Sequence, residues 1–140
     1  SGSKSDYFMG SDFTYDDLGD RHPSKDEHKL LHEESINGTV CYVIESTPKD
    51  EDYMYSKTIT WVRKDNFIGI KREFYDEDED LLKKLNIKKI ENINGFWTIM
   101  ETEMKNIQKN HKTIMEFSNI KINQGISASK FTERSMTMGR

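Results

Sequence analysis

The chain has 140 residues, which fits one domain, and its 34% hydrophobic and 11% aromatic residues can supply a core. With 21 basic against 25 acidic residues the net charge is -4, which argues against a nucleic-acid partner because no basic excess is available to neutralise phosphates. No apolar stretch approaches the roughly 20 residues that span a bilayer, and the first six residues lack the apolar core of a secretory signal.

The first predicted element is a short helix near the N-terminus. Ser11 is a good N-cap, Asp12 lies in the first turn and Gly19 can end the helix, which predicts one or two turns over about residues 11–18. Residues 19–26 form a polar connector. After it the apolar residues change from helical spacing to the alternation that is typical of strands.

An Asn-Gly pair at residues 37–38 predicts the first hairpin, because this dipeptide between two strand-like runs is a strong hairpin signal. A two-residue type I′ turn at this point pairs Leu31 with Ile44. The same turn pairs His32 with Val43.

A second Asn-Gly pair, at residues 94–95, predicts another hairpin. The same two-residue turn sets Leu85 opposite Met104, Lys88 opposite Glu101, Lys89 opposite Met100, Ile90 opposite Ile99, and Ile93 opposite Phe96. Most of these pairs join two apolar residues, and one joins opposite charges. The pairing therefore supports this register independently of the turn.

Further strands are predicted on both sides of the second hairpin. Residues 55–63 and 67–75 are joined at residues 65–66, and residues 112–123 follow a turn-prone stretch at 106–110. About seven consecutive strands with short loops form an antiparallel meander, which at this length curls into a barrel or a partial barrel. The predicted fold is therefore mainly β, a curved antiparallel meander that forms a half-barrel with a short N-terminal helix.

Few residues are placed for chemistry. His28 and His32 share a face of a strand but lie about 13 Å apart, too far to bind one metal ion together. The acidic run at 76–80 lacks the glycine and glutamate spacing of a calcium loop and indicates a solvated turn. Cys41 is expected to be a buried, inert thiol. No nucleophile motif, phosphate-binding loop or dinucleotide fingerprint is present, so no catalytic residue, metal site or cofactor is predicted.

The predicted functional feature is an apolar face that alternation builds along the strands. The residues predicted to bind a hydrophobic ligand are Ile70, Phe74, Ile87, Phe96, Met100, Met104, Met115 and Phe117. Methionine is flexible and polarisable, which suits a surface that accepts acyl chains of varied shape. The alternative is that this face is a filled core. Lys89 interrupts the face, where it either meets an anionic headgroup or extends to the rim.

Several segments of the chain carry a resemblance to a known family: residues 8–18, 42–49, 61–64, 71–76 and 95–97. They resemble the outer-membrane lipoprotein-sorting proteins, which are relatives of the lipoprotein carriers LolA and LolB. The resemblance spans most of the chain. It implies a curved antiparallel sheet around an apolar cavity and a role in binding lipid or acylated protein.

The resemblance further implies that residues 1–140 form a single LolA-like domain that lacks its N-terminal strands, because the motif at residues 8–18 falls well inside the family's domain. The expected function is non-catalytic carriage of lipoprotein acyl chains, or of a related lipid, in the periplasm. A membrane transporter is the other partner that the family implies, and exposed sheet edges would favour self-association. Two alternatives stay open: a transporter-associated interaction module without bound lipid, and a hydrolase that uses the same cavity.

Overall fold

The computed structural model describes residues 7–18, 21–118 and 130–137. A 3-10 turn at Phe8–Gly10 and one helical turn, α1 (Tyr15–Leu18), come first, and a second 3-10 turn covers Pro23–Lys25. Within the described ranges no helix is long or apolar enough for a membrane span. The strands are β1 (Asp26–Ile36), β2 (Thr39–Pro48), β3 (Lys57–Arg63), β4 (Gly69–Tyr75), β5 (Leu81–Ile93), β6 (Phe96–Asn106), β7 (His111–Ser118) and β8 (Lys130–Thr137).

The eight strands of the described residues form one antiparallel sheet in which each strand pairs with its neighbours in sequence. The sheet is curved but not closed into a barrel, so β1 and β8 lie at its two edges. The prediction of a curved antiparallel meander with a short N-terminal helix is confirmed. β8 is a strand that the sequence pattern does not predict. Residues 119–123, predicted as the end of the preceding strand, lie outside the described residues.

Both Asn-Gly pairs form the predicted two-residue turns. In the first turn Asn37 and Gly38 have φ angles of 49° and 82°, and in the second Asn94 and Gly95 have φ angles of 54° and 87°. Positive φ at both central residues is the requirement of a type I′ turn, and asparagine and glycine adopt it at little cost. The local sequence therefore determines where the chain reverses direction in these two hairpins.

The register of the first hairpin is only partly the predicted one. His32 pairs with Val43, as expected, whereas Ile44 pairs with Leu30 and not with Leu31. The register shifts between Leu30 and His32, so Leu31 is an extra residue on β1. The pair of Leu31 with Ile44 is therefore wrong, because a bulge places two residues of one strand opposite one residue of the other.

The second hairpin keeps its predicted overall register and departs from it locally. Leu85 pairs with Met104, Ile90 with Ile99, and Ile93 with Phe96, as predicted, whereas Glu101 pairs with Lys89 instead of Lys88, so that Met100 is not opposite Lys89. The register shifts on both sides of Lys89, which accounts for the two wrong pairs. Lys89 lies 3.1 Å from Glu91 in an exposed ion pair.

Two apolar clusters lie on opposite faces of the sheet. On the first face the buried members are Phe13, Tyr55, Phe74, Met104 and Met115, and on the second face they are Cys41, Val43, Ile59 and Trp61. Thr58 pairs with Phe74, and the next residue, Ile59, belongs to the second cluster. Successive residues of a strand point to opposite sides, so the sheet separates the two clusters.

Candidate functional site

The N-terminal segment, residues 7–18, lies over the first face of the sheet. The backbone N–H of Phe8 donates to the carbonyl of Phe13 at 2.7 Å, which closes a tight loop in which Gly10 has a φ of 74°. Phe13 is thereby buried in the first-face cluster, and Phe8 packs against the same cluster. The segment therefore covers apolar surface that the sheet alone would leave open.

Thr14, and not Ser11, caps the helical turn of this segment. The N–H of Asp17 donates to Oγ1 of Thr14 at 3.1 Å, and the N–H of Thr14 donates to Oδ2 of Asp17 at 2.8 Å. These reciprocal bonds form a capping box. The prediction that Ser11 is the N-cap is wrong because its hydroxyl accepts the N–H of Phe13, at 3.1 Å, in a local turn before the helix.

A buried ion pair joins the N-terminal segment to β5. Nζ of Lys83 lies 2.5 Å from Oδ2 of Asp17, and the two side chains are 0% and 3% exposed. Nζ also donates to the backbone carbonyl of Asp12 at 3.1 Å, and the rings of Tyr55 and Phe74 lie 5.1 and 5.3 Å from it. Burial lowers the pKa of Lys83, while the charge of Asp17 opposes that shift. The ammonium group is therefore paired, hydrogen-bonded and flanked by aromatic rings, as a buried cation requires.

Two tyrosines donate to the carboxylates of α1. The hydroxyl of Tyr55 donates to Oδ1 of Asp17 at 2.8 Å, and that of Tyr53 donates to Oδ2 of Asp16. Burial raises the pKa of both tyrosines, and the neighbouring carboxylates raise it further. Both hydroxyls therefore stay protonated and act as donors at neutral pH.

A second polar contact fastens the N-terminal segment to β7. Oγ1 of Thr113 donates to Oδ2 of Asp12 at 2.9 Å and accepts the N–H of Asp12 at 3.0 Å. Nδ1 of His111 lies 2.7 Å from the same carboxylate oxygen. The segment is thus bound to two strands by polar groups in addition to the apolar contacts of Phe13.

A cavity of about 270 Å³ lies between α1, the start of β1 and the first face. Its lining is mostly polar and includes Asp16, Arg21, Asp26, Tyr53 and Arg72. The guanidinium of Arg21 lies 2.9 Å from Oδ1 of Asp26 and 3.8 Å from the centre of the Tyr53 ring. This cavity is a polar compartment beside the apolar cluster, and the sequence pattern does not predict it.

Four of the predicted ligand-binding residues come together on the first face. Phe74, Met104 and Met115 are buried members of its cluster, and Phe117 packs against them. Met104 and Met115 are 0% and 1% exposed because the N-terminal segment covers this region. This part of the predicted face is therefore filled in the structure.

Ile70 does not share the face of Phe74. Trp61 pairs with Lys71 and the next residue, Val62, pairs with Gly69, so the register shifts and Ile70 is left over. Ile70 packs against the second-face cluster instead. Together with Ile87 it lines a separate depression of about 350 Å³. The expectation of one face for these residues is wrong at Ile70 because a bulge reverses the alternation.

Phe96 and Met100 lie on β6 toward its turn with β5. Phe96 is 55% exposed and Met100 is half-buried. Both are an even number of residues from Met104, and the register of β6 with β5 shifts at Met100, which pairs with no residue of β5. Trp97, between them, lies 5.7 Å from Cζ of Arg63, which pairs with Cys41 and so lies on the second face. β6 therefore has an accessible apolar end beyond the buried cluster.

The polar residues that hold the N-terminal segment are not among those predicted from the sequence. Lys83 shares the alternation phase of Leu85 and Ile87, and this position is the sequence signal for a buried ion pair. A lysine on an apolar face requires a nearby counter-charge. Its partner, Asp17, lies 66 positions away, so only the tertiary fold reveals the pair.

The two histidines of β1 do not face each other. Nδ1 of His28 lies 2.7 Å from Oγ of Ser46, whereas Nε2 of His32 lies 3.2 Å from Oε1 of Glu34. The bulge at Leu31 turns them to opposite sides of β1, so the expectation that they share a face is wrong. Among the described residues no group of three or more histidine, cysteine or acidic side chains could hold a metal ion.

Comparison with known proteins identifies similar chains. The model of a family described as "Uncharacterized protein" matches residues 1–138. An outer membrane lipoprotein-sorting protein domain from Vibrio parahaemolyticus shares 33% identity over 79% of this chain, with a TM-score of 0.74. A DUF1329 family protein from Desulfovibrio piger shares 32% identity over 91%, with a TM-score of 0.81. A LolA superfamily protein from Nitrosomonas europaea shares 27% identity over 80%, with a TM-score of 0.69.

The chain spans about half the length of these solved structures, namely 47%, 54% and 51% of the three chains in the same order. None of the curated proteins matches it. The structural likeness is therefore to a part of each relative, and it includes the curved sheet.

Proposed function

Because the chain belongs to the LolA-like family of outer-membrane lipoprotein-sorting proteins, we propose that it acts as a non-catalytic carrier of acyl chains. The proposed cargo is the acylated end of a lipoprotein or a related lipid. The names of two similar structures, one for lipoprotein sorting and one for the LolA superfamily, support this class of cargo.

One observation carries the proposal: apolar residues follow β6 from the buried cluster to an accessible end. Along β6 it runs from buried Met104 through half-buried Met100 to exposed Phe96. Covering such a surface with an acyl chain is favourable, at about 0.8 kcal/mol for each methylene removed from water. Methionine side chains can adapt to chains of different shape.

We assign first contact with the acyl chain to Phe96 and Met100. The closed end of the same surface is then formed by Phe74, Met104, Met115 and Phe117, which the N-terminal segment covers. Ile70 and Ile87 line the separate depression and have no part in this assignment.

The periplasm is the proposed compartment, since one similar structure is named as an outer membrane lipoprotein-sorting protein domain. A membrane transporter that loads or receives the cargo is a proposed partner. Self-association through the edges of the open sheet is also proposed, because edge strands have unpaired backbone groups.

Binding of an uncharged fluorescent monoacylglycerol tests the carrier function. Met100→Asp places a carboxylate on the accessible part of the face, where we expect the protein to remain folded and to lose binding. Val40→Asp is the matched control, because Val40 is an exposed apolar residue on β2, and three strands separate β2 from β6 in the sheet. Circular dichroism reports whether each variant is folded. Equal binding by wild type and a folded Met100→Asp variant would place the site elsewhere, and absence of binding by the wild type would refute the carrier function.

A further inference from the structure

Arg72 lines the polar cavity and forms no ion pair with a carboxylate in the part of the chain that the structure describes. Its Nε donates to Oγ1 of Thr60 at 2.9 Å, and Arg72 is one of the residues that line the cavity. The side chain is reached by solvent, yet it is surrounded closely enough that burial lowers its pKa. No carboxylate of the described residues lies within ion-pair distance of its guanidinium group. Two or more of its N–H donors are therefore available to a ligand.

The acidic groups of the cavity are already engaged. Asp17 pairs with Lys83, and Asp26 pairs with Arg21. Asp16 accepts the hydroxyl of Tyr53, and Nη1 of Arg21 lies 4.0 Å from it. His28 is held by Ser46 and by the carbonyl of Pro23, and Lys57 lies 3.9 Å from Glu45. Among the cations of this cavity, Arg72 therefore has the fewest direct contacts with an acidic group.

We propose that the cavity beside α1 binds a phosphate or carboxylate group through the guanidinium of Arg72. Guanidinium donors match the geometry of both anions and can bind them through two parallel hydrogen bonds. The cavity, about 270 Å³ with a polar lining, is large enough for a headgroup but small and polar for an acyl chain. The anion is either free or the headgroup of the acyl cargo, and only the second source rests on the carrier function proposed above.

Isothermal titration calorimetry with inorganic phosphate and with decyl phosphate tests this site. Arg72→Gln keeps a polar side chain but removes the charge and the donor fork, so affinity for the anion should fall about tenfold or more. Arg63→Gln is the matched control. Arg63 is the last residue of β3, does not line this cavity and pairs with Asp65. Thermal unfolding shows whether each variant is folded.

The two probes distinguish the sources of the anion. Binding of both probes with similar affinity indicates a free anion, whereas much tighter binding of decyl phosphate indicates a headgroup. In either case Arg72→Gln must weaken binding and Arg63→Gln must not. Equal affinity of wild type and folded Arg72→Gln, or absence of binding of both probes, overturns the proposal. The uncharged monoacylglycerol reports on the acyl surface alone, so failure of the anion site and failure of the carrier function give different results.

Discussion

At the scale of single residues, the pair of Lys83 with Asp17 is the contact on which the covering of the first face most depends. Replacing Lys83 with Met leaves the carboxylate of Asp17 buried without its cation. We expect the free energy of unfolding to fall by about 3–5 kcal/mol, the range for breaking one side of a buried ion pair. Urea denaturation measures the loss. Lys84→Met is the control, because this neighbouring lysine is only half-buried and its replacement should change stability by about 0.5 kcal/mol or less.

The buried Tyr55 predicts that the protein loses stability at alkaline pH. Its pKa is raised in the folded state, whereas in the unfolded chain it titrates near its ordinary value of 10.0. As pH rises above that value the unfolded state releases the proton first, so stability falls by about 1.4 kcal/mol per pH unit for this group. Below pH 10.5 the lowered pKa of Lys83 has the opposite effect on stability. The unfolded chain then holds the extra proton, so stability rises with pH.

Urea unfolding between about pH 9 and 12 measures this slope in wild type and in Tyr55→Phe. The variant lacks the titrating hydroxyl, so its stability should depend less steeply on pH above 10 even though it loses the bond to Asp17. Parallel slopes for the two proteins would show that Tyr55 ionises freely in the folded state.

Sequence reasoning found the apolar residues of the site better than the polar ones. Phe74, Met104 and Met115 follow the period of two that a strand requires, so their common face could be predicted. Arg72 lies in the phase of Phe74 and Lys83 in the phase of Leu85, which is a local signal, but charged residues on a strand are usually solvated and the pattern does not identify a partner. Their environment depends on a segment more than 50 positions away in the sequence.

Among the structural elements, the turn at residues 94–95 predicts that a substitution of Gly95 lowers stability through the backbone conformation. Gly95 has a φ of 87°, and a Cβ added there would meet no atom within 4 Å. Gly95→Val should therefore destabilise the protein by about 1 kcal/mol or more through the backbone alone, because a β-branched residue resists positive φ. Gly95→Asn is the control, since asparagine tolerates this conformation and should cost less. Thermal unfolding compares the variants, and equal losses would contradict the turn assignment.

The strands themselves could be predicted more reliably than their bulges. Asn-Gly turns are local signals, and both predicted hairpins form. The extra residues at Leu31 and Ile70 depend on how each strand packs against its neighbours, which no local pattern encodes. The cap of α1 likewise depends on distant contacts: Asp12 is bound to Thr113, 101 positions later in the sequence, and the helical turn is capped by Thr14.

At the scale of the whole molecule, the open edge at β1 predicts self-association. β1 pairs only with β2 among the described strands, and Leu30 and Leu31 on it are 57% and 40% exposed. Unpaired strand groups beside exposed leucines favour pairing with a second copy. Sedimentation velocity should show a fraction of dimer that increases with protein concentration. Replacing both leucines with lysine should reduce this fraction. A wild type that remains monomeric at high concentration would contradict this prediction.

Native mass spectrometry of the protein purified from cells can show whether this sheet carries acyl chains. We expect a population heavier than the bare chain by the mass of one acylated molecule, released on collisional activation and depleted in Met100→Asp but not in Val40→Asp. A wild type that shows only the mass of the bare chain, and stays bare after incubation with monoacylglycerol, would refute the carrier function.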